Sequence, residues 1–116
     1  AHTLRLRRYF GRWSGDYRRR RAYRSLADGM LARAAGDYLR AERLFSQGAD
    51  DQAQPEVHYL AAAEAAQAAH ADARRDNYLR IAQDLNPDAS AALDLQRAGW
   101  LLEEGRLDEA ARLIEA

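Results

Sequence analysis

The chain has no cysteine and no lysine, two prolines, a single valine (Val57) and two isoleucines (Ile81, Ile114). Without cysteine there is no disulfide, no thiolate metal site, no cysteine nucleophile and no covalent haem-attachment motif. So few aliphatic β-branched residues leave little material for strands, whereas the abundant Ala, Leu, Arg and Glu are all good helix formers. The composition therefore predicts a nearly all-helical protein. No apolar run approaches the roughly 18 to 20 residues that a membrane-spanning helix needs, and the Arg-rich first segment holds no apolar signal-peptide core. All 18 basic residues are arginine, which together with the alanine content reads first as a compositional habit of the source genome.

The formal net charge is zero, but it is unevenly placed. Residues 1–24 carry nine arginines against one acid, Asp16, a net +8; residues 25–116 carry nine arginines against 17 acids, a net −8. Two parts of the chain are thus expected to face different surroundings.

Internal similarity organises the rest. Three segments share a turn signature: Gly36-Asp37-Tyr38 followed by Ala41 and Phe45, Ala71-Asp72-Ala73 followed by Tyr78 and Ala82, and Gly105-Arg106-Leu107 followed by Ala110 and Ile114. Taking Gly36, Ala71 and Gly105 as equivalent gives steps of 35 and 34 residues, the period of about 34 that marks tetratricopeptide (TPR) repeats. The expected fold is an all-α, TPR-like solenoid of about three helix hairpins with an Arg-rich N-terminal helical extension. A basic helical segment over 1–21 would precede repeats at about 22–54, 55–87 and 88–116.

In the first hairpin Gly36 suits a helix end that needs positive φ, Asp37 can cap the next helix, and Tyr38, Ala41, Phe45 and Gly48 recur on one face. A polar linker from Ala49 leads to Pro55, which is tolerated in a first helical turn. The Ala-rich run Tyr59 to Ala69 predicts a slender helix that neighbours can approach closely. Its partner carries Tyr78, Ile81, Ala82 and Leu85 as the expected buried stripe, and Asn86-Pro87 ends it. The third hairpin places Leu93, Leu95, Trp100 and Leu101 on its first helix. Its second helix shows an apolar face (Leu107, Ala110, Leu113, Ile114) with no following repeat to cover it. The last repeat is therefore expected to be truncated from a longer array, with self-association through that C-terminal helix as the alternative.

Three stretches together resemble the HemY proteins of proteobacteria, which are associated with haem biosynthesis. They are the run Arg18-Arg19-Arg20-Arg21, then Gly36-Asp37-Tyr38, and above all Gln54-Pro55-Glu56-Val57-His58-Tyr59-Leu60-Ala61-Ala62-Ala63-Glu64-Ala65-Ala66-Gln67. Members of that family are built as a membrane anchor followed by TPR repeats. The resemblance implies a soluble piece of an inner-membrane protein, with a scaffold role toward late haem-synthesis enzymes such as ferrochelatase. His58 stands where the family often has Asn.

On that reading the basic segment would follow a membrane anchor. Arg5, Arg7, Arg8, Arg12, Arg18, Arg19, Arg20 and Arg21, with Trp13, are the expected contacts to anionic headgroups, and Tyr9, Phe10, Tyr17 and Tyr23 are interleaved with them as interface aromatics. The positive-inside rule would place the repeats on the cytoplasmic side. Arg with aromatics also suits single-stranded nucleic acid, but the rest of the chain is acidic and no nucleic-acid motif is present, so no nucleic-acid partner is expected.

Ordinary TPR geometry would put Arg33, His58, Leu60, Glu64 and Gln67 along a partner-binding groove. Haem binding would have to draw on His2, His58, His70 and Met30, none in a paired ligand spacing, so no cofactor or metal is expected. Nor is an enzyme: Ser14, Ser25, Ser46 and Ser90 lack an activating arrangement, and no Gly-rich phosphate loop occurs.

Overall fold

In the computed structural model the chain is all-α among the described residues, which are 2–49 and 54–115 for the backbone and, for side chains, those from Tyr17 onward except Ala22. Six helices follow in order: α1 His2–Ala34, α2 Tyr38–Gly48, α3 Pro55–Ala68, α4 Asp72–Leu85, α5 Ser90–Glu103 and α6 Leu107–Glu115. A 3-10 turn at Pro87–Ala89 leads into α5. The basic segment expected to be helical is continuous with the first hairpin helix, so α1 spans 33 residues, about 50 Å of helix at 1.5 Å per residue. The linker predicted after Ala49 falls largely outside the described residues.

Three turns of one kind close the hairpins. The amides of Asp37, Ala71 and Arg106 donate to the carbonyls of Ala32, Ala66 and Leu101 at 2.9, 2.8 and 2.8 Å. The amides of Gly36, His70 and Gly105 donate to Arg33, Gln67 and Leu102 at 3.0, 3.1 and 3.0 Å. Each turn pivots on a residue with positive φ: Gly36 at 81°, His70 at 59° and Gly105 at 76°. This is a helix C-terminus closed by a left-handed residue, which glycine adopts without strain. The equivalence drawn from sequence is thus corrected by one residue. His70, not Ala71, matches Gly36 and Gly105, and the steps are 34 and 35 residues. Sequence reading missed it because a histidine held the position where the other two turns have glycine.

Within each hairpin the helices pack along their length, and α3 packs against both α2 and α4. Alanine makes that possible: Ala62, Ala63, Ala65 and Ala66 of α3 are all fully buried. One core unites Ala32, Ala41, Phe45, Ala62 and Ala65, with Leu26 and Leu44 at its edge. A second joins Ala63, Leu79, Ala82, Leu93 and Trp100 across α3, α4 and α5. A third closes the last hairpin through Ala98, Leu101 and Ala110. Burying a side chain such as Phe45 contributes roughly 1.5–3 kcal/mol.

The stripes are corrected in detail. In α4 the buried residues are Arg75, Leu79 and Ala82, whereas Leu85 is half exposed. In α5 Leu93, Trp100 and Leu101 are buried as expected, but Leu95 is mostly exposed. Tyr38 likewise sits at the surface. The one-residue register shift accounts for α4: it turns the helix face so that Arg75 and Leu79 take the core positions. Among the described residues no helix is long and apolar enough to cross a membrane.

Candidate functional site

Side-chain pairs sort the helices into two rows. Arg33 of α1 donates to Glu64 of α3 at 2.7 Å, and Gln67 of α3 donates to Glu104 at the end of α5 at 3.2 Å. The first helix of each hairpin is thereby tied to the next. On the other row Glu42 of α2 accepts from Arg74 of α4 at 2.6 and 3.2 Å and from the Tyr78 hydroxyl at 2.9 Å. Glu42 is buried, so its carboxylate is held by a bidentate guanidinium and a phenol together. Burial, and then the bond to Glu42, raises the Tyr78 pKa above its ordinary value.

The residues expected in a partner groove divide between these roles. Arg33 and Glu64 meet in an ion pair whose side chains are 39% and 37% exposed, which leaves both reachable at the surface. Gln67 lies on the same row. Leu60 instead packs against the second core. His58 is 2% exposed, beside Gly48, where a Cβ would stand 3.1 Å from its Cδ2. It is corrected from a groove residue to a packing residue, because the α2–α3 contact closes over it. The accessible part of the predicted groove is therefore Arg33, Glu64 and Gln67, with Glu104 added by the structure.

Sequence reasoning missed the group at the centre of this row, Arg75. Its side chain is fully buried and lies over the Trp100 ring, 5.9 Å from the centroid. Its Nε donates to Asp76 at 2.9 Å, and its Nη1 donates to Gln67 at 2.6 Å and Glu104 at 2.8 Å. Burial pulls its pKa down, but pairing with Asp76, Glu104 and Asp72 outweighs that and leaves it above the ordinary value. Burial also works against the Glu104 carboxylate, yet bonds from Gln67, Arg106 and Arg75 hold its pKa below the usual range. Once the turns are aligned on His70, Arg75 falls where the other hairpins have the fully buried Ala41 and Ala110. A large cation at a small-residue position was the available signal.

The basic helix is a second candidate surface. Arg18, Arg19, Arg20, Arg21 and Arg24 are exposed on α1, and Tyr17 and Tyr23 are 57% and 72% exposed. Arg5, Arg7, Arg8, Arg12 and Trp13 lie outside the residues whose side chains are described. At the opposite end Leu107 and Ile114 of α6 are 62% and 60% exposed, and a groove of about 520 Å³ runs beside Leu95, Leu113 and Ile114.

The candidate haem ligands are scattered over different environments. His58 is buried, His70 forms a turn, and Met30 is half exposed on α1; the His2 side chain lies outside those described. Among the described residues no three His, Asp or Glu side chains are grouped to hold a metal ion.

Comparison with known proteins places the chain in a family. No solved structure matches the chain significantly. It is 36% identical over 85 residues to Protein HemY of Escherichia coli K12, and equally to Protein HemY of Escherichia coli O157:H7 and of Shigella flexneri. The match covers 73% of this chain and 21% of each relative, so the chain spans about a fifth of their length. The family model for the HemY protein N-terminus matches residues 1–70. The chain belongs to the HemY family.

Proposed function

We propose that the chain is part of a TPR-type helical scaffold, without catalytic chemistry of its own, that holds protein partners of late haem synthesis beside the inner membrane. The observation that carries this reading is the recurrence of one left-handed turn at Gly36, His70 and Gly105, together with ion pairs that tie first helix to first helix and second to second. Such two-row stacking is how TPR hairpins build an extended binding surface. The surface itself is polar and reachable along Arg33, Glu64, Gln67 and Glu104, which suits a protein partner. The exposed apolar edge of α6 fits further helices stacked on it.

The exposed arginines of α1 support contact with anionic headgroups, each contributing about 1 kcal/mol near the surface. With a membrane anchor ahead of them, the positive-inside rule would set the repeats on the cytoplasmic side. Ferrochelatase-type and porphyrinogen-oxidising enzymes are the proposed partners, on the strength of family membership. Direct haem transfer gains nothing from the positions of His58 and His70.

Affinity capture with the full-length protein from detergent-solubilised membranes tests the proposal. An enzyme of late haem synthesis should be retained through high-salt washing. Recovery of none above an untagged control would contradict it.

A further inference from the structure

From Arg20 onward, one side of α1 carries exposed apolar side chains between arginines. Ser25 lies against Gly48, Gly29 lies against Phe45, and Ala32 belongs to the first core, so these three mark the side turned toward the hairpin. At 3.6 residues per turn, Arg20, Tyr23, Arg24, Ala27, Met30 and Leu31 fall together on the opposite side, within about a third of the helix circumference. Tyr23 is 72% exposed, Met30 51% and Leu31 70%. A recess of about 480 Å³ runs along Arg19, Arg20, Tyr23, Arg24 and Ala27.

The charge on this stripe selects what covers it. Asp28 is the only acid from Tyr17 to Ala34, and it lies off the stripe, lining a recess with Asp37 and Arg40. A second copy meeting the same stripe would bury Arg20 and Arg24 against arginine with no acid to pair them, which is costly. Nucleic acid would answer the arginines with phosphate and leave Met30 and Leu31 in water. An anionic bilayer answers both. Its acyl region receives Met30 and Leu31, while Arg20 and Arg24 extend along the apolar surface to headgroup phosphates, and Tyr23 suits the level where the two regions meet.

We propose that α1 lies in the plane of an anionic membrane on this stripe, a pose that rests on the headgroup contact proposed above. From Arg20 to Leu31 the stripe covers roughly 16 Å of axis at 1.5 Å per residue, whereas an interfacial helix sinks only about 5–10 Å into the boundary of headgroups and acyl chains. Only a helix close to parallel with the surface brings both ends of the stripe to that depth. Arg33 falls outside the stripe, so its pair with Glu64 stays on the solvent side.

The chain holds no cysteine, so the single variants Tyr23→Cys, Leu31→Cys and, at an exposed position of α2, Gln47→Cys each take one environment-sensitive fluorophore. Phosphatidylcholine vesicles with about one third phosphatidylglycerol should brighten the probes at 23 and 31 about threefold or more and leave that at 47 unchanged. Quenching by nitroxide-labelled lipids should place the first two at the same depth. The double variant Met30→Ser/Leu31→Ser should bind these vesicles about tenfold more weakly, with its helical circular dichroism unchanged. Undiminished binding by that variant, or a probe at 31 that stays in water while the unsubstituted chain binds, would overturn the in-plane pose and leave the headgroup contact standing. No binding by the unsubstituted chain at low salt would remove both. Brightening at 23 and 31 without lipid, rising with protein concentration, would make the stripe a contact between copies and overturn the proposal.

Discussion

The Phe45 ring lies against the backbone of Gly29, where a Cβ would stand 2.6 Å from Cε1 and 2.7 Å from Cδ1. Phe45 is fully buried, so the ring has no room to withdraw. Gly29→Ala should therefore destabilise the chain by about 1–3 kcal/mol, even though alanine favours helix over glycine by up to about 1 kcal/mol. Gly99 of α5 has nothing within 4 Å of the same construction. There the propensity gain is unopposed, and Gly99→Ala should stabilise by about 0.5–1 kcal/mol. Urea unfolding of both variants reads the opposite signs.

His70 holds at φ 59° a conformation that Gly36 and Gly105 hold without a Cβ. His70→Gly should raise the melting temperature, a gain of about 1 kcal/mol from relieving left-handed strain. Gly105→Ala should lower it by a similar amount. If the histidine variant melted lower, the side chain would be contributing more than a turn.

The Arg75–Glu104 pair gives stability a pH signature. The folded pKa of Glu104 is depressed below its ordinary value, so its contribution is present above the unfolded pKa, near 4.5, and is lost as pH falls through the lower folded pKa. Thermal scans from pH 7 downward should show stability declining below about pH 4.5, and Glu104→Gln should flatten part of that slope. Arg75→Ala should cost about 2–4 kcal/mol, since it empties the space over Trp100 and removes one of the two cations paired with each of Glu104 and Asp76, leaving Arg106 and Arg97 respectively. Arg75→Met fills the space and should cost less.

The two rows of ion pairs should differ in weight. Glu42→Ala removes the buried carboxylate shared by the part-buried Tyr78 hydroxyl and the half-exposed Arg74, and should destabilise by about 1–3 kcal/mol. Glu64→Ala removes a partner of Arg33 at a site more than a third exposed, where such pairs are worth about 0–1 kcal/mol. Comparable losses for both would show that the first-helix row is structural rather than free to serve a partner.

Helix content, hairpin order and the near-34-residue period were legible because short turns, alanine runs and Asn86-Pro87 act locally. The resemblance carried by Gln54 to Gln67 also led to the family that the comparison shows. What sequence missed was non-local. His70 hid the second turn because histidine is not the residue a left-handed position favours, and with the register one residue off, Arg75 was not singled out and Leu85 was expected in the core. His58 was placed in the groove from ordinary repeat geometry, whereas the neighbouring helices close over it. Arg33 and Glu64 were placed on one row from repeat geometry, but their ion pair is a finding of the structure.

The most direct test of the scaffold account is site-specific photo-crosslinking in the full-length protein in cells. A photoreactive residue at Arg33 or Gln67 probes the first-helix row; the same residue at Arg43 or Arg80 probes the exposed side of α2 and α4. The account predicts adducts to a late haem-synthesis enzyme from Arg33 and Gln67 and far weaker ones from Arg43 and Arg80. Adducts of equal yield from all four positions, or none to such an enzyme from any, would contradict it.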